Sequence, residues 1–231
     1  MTFTFRTPAL IAASAVLALG LTACSASEAE ETAPQPVVEE TAEAEETAED
    51  TADVEAGAMP EWGEGSLDVG EKIGAIDTDS WHVDVYQVGT GVTDKNSLMV
   101  DAETEENLLP AGSEVVYVNF VFTNTTDEEI PLSISLGSPQ IASTSWAYLG
   151  GQPSFTSSAG YEALGLSDDG KQVGFDAPFL VAPGQSFAQA TNFAYVPGDE
   201  SEAEVGLIQV DDAGELLHDT KEEGAVIVTI K

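Results

Sequence analysis

From about Ser66 onward the chain is a succession of short runs in which apolar and polar residues alternate. Residues 81–88 put Trp81, Val83 and Val85 on one face and His82 and Asp84 on the other, the period-two pattern of a strand with one buried side. Residues 114–124 are the strongest such run. Val116, Val118, Phe120 and Phe122 share a face, while Tyr117, Asn119 and Thr123 take the opposite one. After a polar turn over 124–129, residues 130–136 alternate again. Pro183-Gly184-Gln185 reads as a turn before a strand over 186–195, in which Phe187, Phe193 and Tyr195 align. Residues 205–210 predict a strand, Asp211-Asp212-Ala213-Gly214 a hairpin turn, and 225–231 a last strand with Val226, Val228 and Ile230 on one face. No stretch carries an apolar helical stripe of several turns. Many short strands between polar turns predict an all-β fold, a single antiparallel β-sandwich over 66–231.

The first 65 residues follow other rules. Residues 1–23 contain no acidic residue and one cation, Arg6, followed by the apolar run ALIAASAVLALGL. This is the composition of a signal peptide, and its apolar core as a helix reaches only ~20 Å, short of a ~30 Å hydrocarbon layer. The run ends Leu21-Thr22-Ala23-Cys24, and Cys24 is the only cysteine of the chain. In the next segment, 24–65, residues 25–60 are mostly Glu, Ala and Thr, with no aromatic and few large aliphatic side chains. Such a segment cannot bury enough area to offset its chain entropy, so it is expected to be a disordered acidic tether.

Composition narrows the chemistry. The 231 residues hold 42 acidic and 6 basic side chains, a formal charge of −36. Nucleic-acid binding through counterion release needs clustered Lys and Arg, so no nucleic-acid partner is expected. One Cys forms no internal disulfide, and two His, His82 and His218, supply little for a catalytic or metal centre. The acidity also suits high salt, where self-repulsion is screened.

Leu21-Thr22-Ala23-Cys24 resembles the lipobox of bacterial lipoproteins. That resemblance implies diacylglycerol and often a further acyl chain such as palmitate on Cys24, cleavage before it, and anchorage at the outer face of the cell membrane. Two or more chains hold a protein stably where one does not. A second resemblance lies in the strands. Val69-Gly70-Glu71 before Trp81-x-Val-x-Val85, the run from Val115 through Asn124 to Asp127, and Ala182-Pro183-Gly184 leading to Phe193 are similar, in that order, to the telokin-like, immunoglobulin-like domains of Gram-positive cell-surface lipoproteins. It implies an immunoglobulin-like sandwich outside the membrane and carries over no active residues. The chain departs from that pattern by an insertion over about 143–166.

The insertion is poor in charge yet holds Trp146, Tyr148, Phe155 and Tyr161. Long loops without regular structure are often functional, and rings give large contact area at low entropic cost. They form a candidate binding loop for a glycan or protein; the competing reading tucks the rings onto the sandwich. The acidic clusters Asp77/Asp79, Asp101/Glu103/Glu105/Glu106, Asp168/Asp169 and Asp211/Asp212/Glu215 are candidates for calcium, but none has EF-hand spacing. His82 is expected to face solvent beside Asp84, without a nucleophile partner. Asn124-Thr125-Thr126 fits a glycosylation sequon but reads as a turn. The sequence therefore leads to a non-enzymatic cell-surface lipoprotein, without cofactor, anchored through Cys24, whose sandwich is an interaction module for an envelope protein or glycan. The alternative is a ligand-binding protein for a divalent cation or an envelope glycan.

Overall fold

Nine strands form among the residues that the computed structural model describes, 56–143 and 158–231. They are β1 (Glu71–Asp77), β2 (Trp81–Val92), β3 (Glu114–Asn124), β4 (Ile130–Leu132), β5 (Gln140–Ser143), β6 (Phe179–Val181), β7 (Ser186–Ala194), β8 (Glu200–Leu207) and β9 (Glu222–Thr229), with one short helix, α1 (Ser158–Ala163), before β6. All belong to one compact unit, Ala48–Lys231. The first layer runs β1-β2-β3-β7; the second holds β5-β8-β9 and the pair β4-β6, and every strand pair is antiparallel. Leu132 bridges on to Gln209 just after β8, which links the two parts of the second layer. The expected antiparallel β-sandwich is what the chain builds.

The apolar faces named above meet between the layers. Trp81, Val83 and Val85 from β2, and Val116, Val118, Phe120 and Phe122 from β3, pack with Phe187, Phe193, Val205 and Val228. Phe122 and Phe187 stack with ring centroids 4.7 Å apart, and Trp81 meets Phe187 edge-on at 5.8 Å. Each such side chain contributes ~2–3 kcal/mol by leaving water. With no disulfide in the chain, this burial is the main source of stability.

Three departures from the expected pattern have physical reasons. Trp62 lies inside the core against Phe179 and Phe187, and its Nε1 donates to the Leu180 carbonyl at 2.9 Å. The folded part therefore starts before residue 66; composition places the boundary too late because one tryptophan sits among polar neighbours. β8 begins at Glu200 rather than 205, because its first inward residues are the small Ser201 and Ala203, which leave no large apolar signal. The run 130–136 stops being a strand at Leu132. The chain turns there, with the Leu136 N–H bonded to the Ser133 carbonyl at 3.1 Å, and Ile134 faces solvent while Leu136 is buried. Other turns are as expected. Gly184 adopts φ 71° after Pro183, and the Gln185 N–H donates to the Ala182 carbonyl. The buried Asn124 amide donates to the carbonyls of Glu128 and Val181 at 2.8 and 2.9 Å, so the 124–129 turn is pinned by its first side chain.

Candidate functional site

The β2–β3 connection, residues 93–113, is long, and it is built rather than loose. Thr93 closes its base: the Thr93 N–H donates to Ser113 O at 2.9 Å, the Gly112 N–H to Thr93 O at 2.8 Å, and Thr93 Oγ1 to Pro110 O at 2.8 Å. Further out, the Ser97 N–H bonds Leu109 O and the Leu108 N–H bonds Met99 O, and Val100 bridges Asn107. Asn107 Nδ2 donates to Ser97 O at 2.8 Å. The tip closes on Asp101, whose carboxylate accepts the N–H groups of Glu103 and Thr104 at 2.9 and 2.8 Å and the Thr104 hydroxyl at 3.1 Å. Those donors hold the Asp101 carboxyl below the ordinary carboxylate range.

This arm is anchored by one residue and displays others. Leu109 is buried in a small second core with Val115, Tyr117, Tyr161 and Leu166. On the arm Leu98 is fully exposed, Val100 is 56 % exposed and Met99 is exposed as well, and Val92, the last residue of β2, is exposed beside its base. Beside them the tip carries Asp101, Glu103, Glu105 and Glu106. Single exposed apolar residues are ordinary; here three stand in a row on one hydrogen-bonded arm, rimmed by carboxylates. The sequence reading missed it because 93–113 is polar enough to pass for a plain connection.

His82 is not where the alternation put it. It does leave the core face, but it is 1 % exposed. Its Nδ1 lies 2.6 Å from Asp77 Oδ1 and its Nε2 3.1 Å from Asp84 Oδ1. A neutral imidazole donates to only one of these; the doubly protonated ring donates to both. Lys72 Nζ sits 2.8 Å from the same Asp84 oxygen, and the Tyr86 hydroxyl donates to Asp84 Oδ2 at 3.2 Å. Burial, with the Asp84 charge next, raises the Tyr86 phenol. Register explains the meeting: Asp77 pairs His82 and Lys72 pairs Tyr86 across β1 and β2, and Thr123 of β3 continues the His82 row. The cluster ties an edge strand to its neighbour.

The aromatic insertion divides. Trp146, Tyr148 and Phe155 lie outside the described residues, as does Cys24. Tyr161, on α1, is buried and meets Tyr117 edge-on at 5.2 Å, so for this ring the tucked reading holds. Burial, with Asp168 next, raises its phenol strongly. No family model, curated protein or solved structure matches this chain.

Three of the four acidic clusters have a member drawn into a local role. Asp77 serves His82, and Asp101 and Asp211 each cap their own turn. Among the described residues no group of three or more His, Cys, Asp or Glu is placed to hold a metal ion. His218 is exposed in a short helical turn, His218–Thr220. Among the described residues no helix is long and apolar enough to cross a membrane.

Proposed function

We propose that this chain is a non-enzymatic lipoprotein of the outer face of the cell membrane, held through an acylated Cys24, whose sandwich docks an extracytoplasmic protein. The anchor is supported by the leader and by Leu21-Thr22-Ala23-Cys24. The observation that carries the docking is the β2–β3 arm, with Leu98, Met99 and Val100 exposed beside four carboxylates. The partner that fits is an apolar socket rimmed by Lys or Arg, because residues 61–231 carry 30 acidic side chains against 5 basic and repel an acidic rim.

Two measurements test this. Cys24→Ala releases the protein into the medium and removes a labelled fatty acid; an unlabelled parent chain that stays with the membrane would sink the anchor. A photo-crosslinker at Leu98 in intact cells gives one saturable adduct, weakened by salt and lost in a Val100→Asp background. Because Leu98 is fully exposed, Leu98→Ser shifts stability by no more than ~0.5 kcal/mol. An adduct equally strong from exposed Ile227 on β9 overturns the arm as the docking surface.

A further inference from the structure

Alternation along β8 turns Ala203, Val205 and Leu207 into the core and leaves Glu204 and Gly206 on the outer face of the second layer. Register sets Gln140 of β5 beside Glu204, and Glu223 of β9 beside Gly206. The turn after β4 brings Ser133, Ser135 and Ser138 to the same place, and the hairpin after β8 brings Ile208 and Leu216. Together they line an open cleft of ≈ 300 Å³. That is the lower end of the ~300–1,000 Å³ that small-molecule sites occupy.

The floor of the cleft is a missing side chain. A Cβ built on Gly206 meets no heavy atom within 4 Å, and the residue needs no unusual backbone angle. Space is thus the one thing glycine supplies here. Around it the chemistry is mixed. Hydroxyls and a primary amide both donate and accept hydrogen bonds, and a carboxylate accepts them. Ile208 and Leu216 give an aliphatic wall. Lys221 Nζ at the rim is held by Glu223 Oε1 at 2.7 Å, so the free charge of the cleft is that of Glu204.

This set selects by exclusion and by fit. An anion meets Glu204 and the acidic field of the whole domain. A bare cation has no use for an aliphatic wall. A pyranose ring has hydroxyls on its rim and C–H groups on its faces, and one or two such rings suit the volume. We propose that the cleft over Gly206 binds a neutral saccharide. The site is separate from the β2–β3 arm, so either can fail without the other.

The test is saturation-transfer NMR on the full chain with glucose, galactose, N-acetylglucosamine, cellobiose and diacetylchitobiose as probes. Ring-proton saturation is expected from at least one. Gly206→Leu fills the floor and abolishes it, at an unchanged melting temperature. Glu204→Gln loses a charge-assisted bond and weakens binding about tenfold. If Gly206→Leu melts early, Glu204→Gln and exposed Gln140→Ala decide, and unchanged affinity in both overturns the site. Saturation of no probe overturns it, as does saturation that survives in a folded Gly206→Leu. Calcium perturbing the cleft resonances while every sugar is silent also overturns it.

Discussion

On one face of β2, Trp81, Val83 and Val85 meet rings and aliphatics from both layers; on the other, His82, Asp84 and Tyr86 meet Asp77 and Lys72 of β1. His82 and Asp84 are as shut off from water as the residues of the apolar face. The apolar side is held by area and shape, which are tolerant: a lost methylene costs in proportion to the cavity it leaves. The charged side is held by partners, which is less forgiving, since a buried group without its partner forfeits its hydration. A strand with two buried faces can thus be graded on one and nearly all-or-none on the other.

The comparison can be pressed by substitution. Phe122→Ala, on the apolar side, removes the ring stacked on Phe187 and is expected to cost about 3–5 kcal/mol in urea unfolding. His82→Ala leaves Asp84 buried with Lys72 and Tyr86 alone, at about 2–3 kcal/mol. Were His82→Ala no worse than an exposed change, the charged face would be filler and the contrast would collapse. Asp77→Asn sharpens it from the other direction. Asp77 touches the same ring but its side chain is 53 % exposed, so water screens it and the loss stays below about 1 kcal/mol. Equal losses for Asp77→Asn and His82→Ala would show that exposure does not sort this cluster.

The smallest effect lies on the arm. The folded Asp101 carboxyl titrates below its ordinary value, so the bonds it accepts are fully present above the unfolded value and are lost as pH falls through the lowered one. A carboxyl-carbon NMR titration should place the Asp101 midpoint below the ordinary aspartate value, and Thr104→Val, which removes one donor, should raise it. A midpoint at the ordinary value would mean that the tip is not closed in solution.

Much of this sandwich was legible in the sequence where large apolar residues mark the inward positions. β3 was readable end to end because its inward face is all Val and Phe. β8 was half hidden because Ser201 and Ala203 carry no signal, and β1, β5 and β6 are too short or too mixed to stand out. The site was harder. Alternation shows that His82 points away from the core, but not that Asp77, five residues earlier, folds back beside it. The arm and the cleft rest on register, turns and one absent side chain, none of which has a composition. Tyr161 was visible as a ring in a loop; its destination depended on Tyr117, which reads as an outward strand residue until α1 covers it.

β3 is paired on both edges, to β2 and β7, and all but its first residue are buried. In terms of time, its amides have no local route to water: a frayed end or an opened arm leaves them protected, so they exchange hydrogen only when the whole sandwich opens. The 93–113 arm is tied to the sandwich through Thr93 and Leu109, so its amides are expected to exchange before those of β3. The domain therefore carries a fast clock in the arm and a slow one in β3. The slow one reads its lifetime: a bound partner, a filled cleft or a broken ion cluster each registers there as an earlier or a later loss of the same protected amides.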